Sequence, residues 1–260
     1  MILDFQRNLL IGSDVGLVGE IFAGFLLLLA RRVSSEFFCS PVPLGSFLMH
    51  LLGSGAISSI SADWLNAAVA FNAVFRCYID ITQEVLVDAW RRRVILLCKQ
   101  NTVGIDLVIP VCKAAKASDN NNQDVVVDQS TISGLVIQIK NWASSMGNPQ
   151  DICVNMKTII DAMVWAPIGI IMAVGKKGRA STCKAVTVID ECHFFAVDMD
   201  DIKANLAMSD EFFQKLLHIR DPIEPVMASC QSSLVTFSKQ DQMNYSHRMV
   251  PYFNVFETKK

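Results

Sequence analysis

The sequence has no surplus of positive charge. Its 23 lysines and arginines are balanced by 25 aspartates and glutamates, which gives a formal net charge of −2. Strong non-specific binding to nucleic acid normally requires an excess of lysine and arginine, so any such contact would depend on a local basic patch. With 52% hydrophobic and 18% charged residues, the 260-residue chain can bury a substantial core, which excludes a wholly disordered protein.

The sequence also has no closely spaced cysteines and none of the common short catalytic patterns. No two of its eight cysteines are closer than nine residues, so no CxxC pair supports a zinc site. The cysteines lie within apolar runs, which indicates free buried thiols in a reducing compartment. The patterns HExxH, GxSxG and GxxxxGK followed by Ser or Thr are missing, so a zinc metalloprotease, a hydrolase with a nucleophile elbow and a P-loop are not expected.

No apolar run is long enough to cross a bilayer. The candidate, Leu17–Ala30, has about 14 residues, whereas a transmembrane helix needs ~20, and it contains Glu20. Asp4 precedes Arg7, and the positive charge follows the apolar run rather than leading it, which does not fit a signal peptide. We therefore expect a buried helix in an intracellular protein, cytoplasmic or nuclear, with no membrane anchor.

What the sequence does contain is a succession of helical and strand patterns. Helices are predicted at 15–32, 44–52, 64–78 and 82–99, and one or two more at 200–217. Strands are predicted at 106–111, 134–140, 168–174, 185–189 and 194–197. This order predicts an α/β fold: a mixed sheet flanked by helices, with a mostly helical insertion at about 41–100 between the first helix and the first clear strand. We expect a single domain over residues 1–231 and an irregular tail at 232–260.

Three polar residues stand out on the apolar strands. Gln138 and Lys140 project from the same face of their strand because side chains alternate, and Asp106 opens the preceding strand 32 residues earlier. Glu20 places a carboxylate in an apolar helix, where a charge is costly unless it is paired or bound to a metal. Gln138-Ile139-Lys140 alone is explained much better by a strand end whose lysine reaches solvent than by a metal site. Its occurrence together with Asp106 and Glu20 favours a metal site.

The order of these residues resembles that of the PD-(D/E)XK nuclease superfamily, which has the restriction-endonuclease-like fold. The pattern of that family is a helix with Glu, a strand with Asp and a strand with (E/Q)-x-K, and Glu20, Asp106, Gln138 and Lys140 follow it. The Gln form is found in Mrr-type restriction enzymes. Over about residues 12–230 the chain is also similar to a group of uncharacterised proteins of mushroom-forming fungi, through GEIFAGFLLLLA, AWRRR, GIDLVIP, VIQIKN and PIGIIMAVG.

The resemblance implies Mg²⁺-dependent hydrolysis of phosphodiester bonds in nucleic acid. Asp106, Gln138, the backbone carbonyl of Ile139 and Glu20 would bind Mg²⁺, which prefers oxygen ligands. Lys140 would orient or help to deprotonate the attacking water. The alternative is a catalytically inactive module of the same fold that acts through binding or interaction.

Two basic clusters could contact the phosphates of a nucleic acid. A solvated charged face explains both clusters equally well. They are formed by Arg91, Arg92 and Arg93 and by Lys176, Lys177 and Arg179.

An acidic cluster in the second half of the chain could also hold a metal. Carboxylates at the end of a strand and the start of a helix more often form a solvated turn with N-capping aspartates, and we favour that interpretation. The cluster consists of Asp190, Glu191, Cys192, His193, Asp198, Asp200 and Asp201.

Overall fold

The computed structural model of the chain describes residues 15–34, 40–98, 104–113, 127–140, 149–160, 168–175, 187–190 and 192–220. Several sequence predictions fall outside these ranges. They concern the basic cluster of Lys176, Lys177 and Arg179, the domain boundary at 231 and the tail at 232–260.

The described residues contain eight helices and nine strands. The helices are α1 Val15–Val33, α2 Leu44–Leu52, α3 Ser54–Ile57, α4 Ala62–Leu65, α5 Gln83–Arg92, α6 Pro149–Ile160, α7 Met199–Asn205 and α8 Asp210–Arg220. The strands are β1 Val42–Pro43, β2 Ala68–Val69, β3 Ala73–Arg76, β4 Val94–Leu97, β5 Leu107–Cys112, β6 Ile132–Lys140, β7 Ile168–Ala173, β8 Thr187–Ile189 and β9 Cys192–Asp198.

All nine described strands belong to one mixed sheet. Its order is β1-β2-β5-β6-β7-β9-β8, with β4 also beside β5 and β3 beside β4. β5 is antiparallel to β6, whereas β6, β7 and β9 run parallel to one another. The predicted α/β architecture, a mixed sheet flanked by helices, is therefore confirmed.

The sheet buries a different set of side chains on each face. Along β6, Leu135, Ile137 and Ile139 pack into the core beneath α1 and α2, while Val136 packs on the opposite face with residues of α5 and α6. Because its central strands are covered on both faces, they read as continuous apolar runs rather than as alternating patterns. All six residues of β5 and all six of β7 are buried.

Helix α1 packs as the buried helix that its apolar sequence predicts. Phe22, Ala23, Leu26 and Leu27 are at most 1% exposed and belong to the core on one face of the sheet. None of the described helices combines the length and the apolar character needed to span a bilayer.

The helix predicted at 64–78 is wrong. The structure has only the short helix α4 there, followed by β2 and β3. The alanines of this segment favour a helix, but burial overrides that propensity: Ala68 and Val69 are fully buried and pair with Cys112 and Val111 of β5.

The helix predicted at 82–99 is correct only in its first part. Thr82 accepts a hydrogen bond from the Val85 N–H as the N-cap of α5, and the helix ends at Arg92. Arg93 then adopts a left-handed conformation with φ of 58°, and the run Val94–Leu97 forms β4. The segment 41–100 therefore contributes four short strands to the sheet in addition to its helices, which corrects the expectation of a mostly helical insertion.

Candidate functional site

Asp106 lies where three strands meet. Its backbone carbonyl accepts a hydrogen bond from the Cys98 N–H at 2.8 Å, just beyond the end of β4. Its own N–H donates to the Ile137 carbonyl of β6 at 2.9 Å. Ile137 also pairs with Leu107. Asp106 and Leu107 therefore both lie opposite Ile137, and two residues opposite one is the arrangement of a β-bulge. Such bulges redirect a side chain, and here the Asp106 carboxylate turns along β6.

The Asp106 carboxylate makes two hydrogen bonds to β6. Its Oδ2 atom accepts from the Gln138 side-chain amide and from the Ile139 backbone N–H, both at 2.5 Å. The bond to Oδ2 gives the Ile139 N–H an acceptor that the backbone of β5 does not supply, since that strand begins only at Leu107. Gln138, at 7% exposure, is held against this carboxylate. Asp106 and Gln138 are therefore in direct contact, as a shared site requires.

Lys140 ends β6 and is half-buried. Its positive charge stabilises the Asp106 carboxylate, and Asp106 acts in the same sense on Lys140. Burial is the larger effect at each residue. It raises the pKa of Asp106 despite the hydrogen bonds from Ile139 and Gln138, and it lowers the pKa of Lys140 despite the negative charge of Asp106. The neutral acid of Asp106 and the neutral amine of Lys140 are therefore more favoured here than they would be in exposed residues.

Glu20 approaches this end of the sheet from α1. It is half-buried. Burial raises the pKa of the Cys98 thiol, and electrostatic interactions with Asp106, Cys77 and Glu20 raise it further. Glu20 and Asp106 therefore both lie within electrostatic range of Cys98. Asp106, Gln138 and Lys140 are therefore clustered at the end of β6, and Glu20 is related to this cluster through its electrostatic effect on Cys98.

The oxygen atoms around Asp106 form an incomplete set of metal ligands. The Ile139 carbonyl points to the side of Asp106, because its own N–H does so. The next carbonyl along the strand, that of Lys140, accepts instead from the N–H of Val174, the residue that follows β7. Gln138 presents its nitrogen to Asp106, so its amide would have to turn over to offer an oxygen. Among the described residues, no group of three or more His, Cys, Asp or Glu side chains could hold a metal ion.

The arginines of α5 lie at the other end of β4. Val94 follows Arg93 directly, and four steps of ~3.3 Å along the strand lead from Val94 to Cys98 beside Asp106. Arg91 donates to the Val127 carbonyl at 3.3 Å and lies 3.9 Å from Asp88, while the Arg93 guanidinium stacks 5.4 Å above the Trp90 ring. These contacts give Arg91 and Arg93 structural roles.

The second predicted basic cluster lies outside the described residues. It consists of Lys176, Lys177 and Arg179, which fall between β7 and β8.

The acidic cluster contains an N-cap, as predicted. Asp198 accepts a hydrogen bond from the Asp201 N–H at 2.8 Å and begins α7. Asp190 is exposed and lies 3.5 Å from the Lys157 ammonium. Glu191 lies outside the described residues. Asp198 therefore has a local structural explanation.

Two features of the site were not predicted. Cys98 lies opposite Asp106, and the predicted continuous helix to Lys99 concealed this pairing. Gly104 adopts φ of +88° and faces the backbone of α6 at Asn155. The signal for both was the glycine two residues before Asp106, which indicates a turn joining two strands.

Comparisons with known proteins do not assign the chain to a family. No protein-family model, no curated protein and no solved structure matches it. The resemblance to the PD-(D/E)XK superfamily therefore stays a prediction, and the function has to be argued from the geometry around Asp106.

Proposed function

We propose that the chain is a nuclease-like protein that hydrolyses phosphodiester bonds of nucleic acid with Mg²⁺. The observation that supports this proposal is the contact of the Asp106 carboxylate with Gln138 and Ile139, beside the charge of Lys140. Asp106 and the segment Gln138–Lys140 were singled out by their order in the sequence, and 32 residues separate Asp106 from Gln138 in numbering. Their convergence at one end of a strand pair is what a metal-dependent site requires.

The order of elements supports a restriction-endonuclease-like fold as part of this proposal. A helix with a glutamate, α1, precedes a strand with an aspartate before it, β5, and a strand ending in Gln-x-Lys, β6. The latter two strands are neighbours in an antiparallel pair within a mixed sheet. This is the order of the PD-(D/E)XK pattern that the sequence resembles.

The ligands fit Mg²⁺ if the site rearranges slightly. Asp106 would use Oδ1, since Oδ2 holds the two β6 donors, and the Ile139 carbonyl already faces the same side. A turned Gln138 amide and Glu20, directly or through water, would complete the oxygen ligands. When bound, the ion would stabilise the negative charge that develops on the phosphate.

Lys140 would act on the attacking water. Its ammonium can hold the water by a hydrogen bond, and burial lowers its pKa, which favours an amine able to take a proton. The carboxylate of Asp106 opposes that shift and keeps Lys140 close to the metal ligands. Contact with the nucleic acid would then occur at the Lys140 end of the sheet.

A binding module without catalytic activity is the second candidate, and specific observations favour it. Oδ2 of Asp106 is already engaged by two donors, and Gln138 turns its nitrogen towards the carboxylate. A neutral glutamine also holds a cation less strongly than glutamate does. The net charge of −2 gives little general attraction for nucleic acid.

The test is a cleavage assay with single-stranded and double-stranded DNA and RNA, with Mg²⁺ and with excess chelator. We expect Mg²⁺-dependent cleavage that falls at least about 100-fold in Asp106→Ala and in Lys140→Ala, because each removes a group that acts on the reacting atoms. The matched controls are Asp128→Ala and Lys113→Ala, at the other end of the β5–β6 pair.

The outcomes separate the candidates. Cleavage that persists in both Asp106→Ala and Lys140→Ala would come from another site or a contaminant and would contradict the proposal. Nucleic-acid binding by the wild type without cleavage would favour the inactive module. Loss of cleavage in the two controls as well would point to a general effect on folding.

A further inference from the structure

Cys77 and Cys98 are neighbours on two parallel strands. β3 pairs with β4 in a register that places Arg76 opposite Leu97. The ladder continues one step further, because the Cys77 N–H donates to the Leu97 carbonyl at 2.7 Å. Cys77 and Cys98 are thus the next pair in register. Neighbouring strands lie about 4.8 Å apart, which falls within the roughly 4.4–6.8 Å between Cα atoms that a disulfide spans.

The two thiols also point to the same face of the sheet. Both residues are buried, at 7% and 5% exposure, and both belong to the core cluster beneath α5. The Cys77 thiol is close enough to Cys98 to raise its pKa, and in the structure it donates to the Ile79 carbonyl at 3.4 Å. Burial raises the pKa of both thiols, so little thiolate is present and we expect their oxidation to be slow and to need an excess of peroxide. Both cysteines are free. A rotation of the Cys77 side chain towards Cys98 would bring the sulfur atoms together.

The position of the pair allows this rotation. Cys77 follows the last residue of β3 and Cys98 follows the last residue of β4. At strand ends the backbone can adjust to the dihedral angle that a disulfide needs, whereas a pair within a parallel ladder is held more tightly. The bond would close the β3–α5–β4 unit, because the chain between the two cysteines contains the whole of α5.

We propose that Cys77 and Cys98 form a redox-modification site that a hydroperoxide converts to an intrachain disulfide. The two S–H bonds and the O–O bond break, and one S–S bond forms. The two thiol protons and two electrons pass to the peroxide, so hydrogen peroxide leaves as two molecules of water. This proposal does not depend on nuclease activity, although the backbone N–H of Cys98 donates a hydrogen bond to the Asp106 carbonyl.

In the strand ladders, the register partners of the described Cys112 and Cys192 are residues other than cysteine. Cys112 pairs with Ala68 on one side and with Ile132 on the other. Cys192 pairs with Ile189, and Cys153 lies on α6. Cys112 is also fully buried in the same core cluster, so Cys112→Ala is a matched control for Cys98→Ala.

The test is disulfide mapping of the folded, full-length chain after treatment with hydrogen peroxide. Remaining thiols are alkylated in denaturant, and the peptides are analysed by mass spectrometry without reduction. We expect the peptide pair joined through Cys77 and Cys98 to be the main cross-linked product, to disappear on reduction with dithiothreitol, and to form in Cys112→Ala but not in Cys98→Ala.

Thermal unfolding gives a second measurement. Oxidised wild type should melt at a higher temperature than the reduced protein, because the bond restricts the unfolded chain, and Cys98→Ala should show no such increase. If Cys98→Ala fails to fold, the disulfide map of the oxidised wild type still shows whether Cys77 and Cys98 are joined. A different main cross-link, or complete alkylation of Cys77 and Cys98 after oxidation, would overturn the proposal.

Discussion

At the scale of single residues, Asp106 is a buried acid on which two physical effects act in opposite directions. Two N–H groups of β6 and the charge of Lys140 favour its carboxylate, while burial disfavours it more strongly. The contact with Gln138 could be predicted from the sequence because strand alternation and the order of strands place both residues in one region. The position of Glu20 could not, because it depends on how α1 packs across the sheet.

The raised pKa of Asp106 predicts that its charge destabilises the fold. The stability contributed by the neutral acid is fully present below the ordinary pKa of 3.8 and is lost as the pH rises through the higher folded value. In Asp106→Asn the amide oxygen can still accept both β6 hydrogen bonds, without a charge. We expect this variant to melt above the wild type at neutral pH, by about 2–4 °C for each kcal/mol gained, with the difference shrinking as the pH falls towards 3.8.

The control for this pH series is Asp128→Asn, which should have the opposite sign. Hydrogen bonds from Ser130, and from Thr131 to a smaller extent, lower the pKa of the exposed Asp128. Its contribution to stability is present above the ordinary pKa and is lost as the pH falls through the lower folded value. A wild type more stable than Asp106→Asn at neutral pH would mean that Asp106 serves mainly to hold β6.

At the scale of elements, the sequence predicts the central strands well and the edges poorly. β6 and β7 are apolar runs that are buried on both faces, and such runs are typical of central strands of a sheet. The strands β2, β3 and β4 lie in a segment rich in alanine and aromatic residues, where helical spacing and strand pairing are both possible. Only tertiary pairing, of β2 and β4 with β5 and of β3 with β4, decides between them, and a single sequence does not contain that information.

The approach of α6 to the site predicts an effect of changing Gly104. A Cβ atom there would lie 2.8 Å from the Asn155 carbonyl oxygen, and φ of +88° disfavours any other residue. We expect Gly104→Ala to destabilise the chain by about 2–4 kcal/mol, from backbone strain and overpacking together. Denaturant unfolding would measure this change.

Gly55→Ala is the matched control for Gly104→Ala. Gly55 lies in the short helix α3, and nothing lies within 4 Å of the position that its Cβ would occupy. Alanine there should be neutral or slightly stabilising. Equal stability losses in the two variants would mean that the contact between Gly104 and α6 does not carry the effect.

At the scale of the whole molecule, the net charge gives no general attraction for nucleic acid, so any binding near Asp106 has to come from the residues around it. A net charge of −2 neither draws in nucleic acid nor repels it strongly. The order of Asp106, Gln138 and Lys140 in the sequence predicted that these three residues lie together. It did not predict that Gln138 would face Asp106 with its nitrogen, because amide orientation depends on the local hydrogen bonds.

Metal binding should therefore appear as a change in global stability that depends on position 138. Mg²⁺ at 100 times its Kd would stabilise the wild type by about 2.7 kcal/mol, or roughly 5–10 °C in Tm. Gln138→Glu places a second carboxylate beside Asp106, so without metal we expect it to melt below the wild type, and with Mg²⁺ to gain more than the wild type gains. The exposed Gln129→Glu is the control and should respond to Mg²⁺ as the wild type does. If Mg²⁺ raises the melting temperature of none of the three, the Asp106–Gln138 contact is a strand-end hydrogen bond and the metal site is wrong.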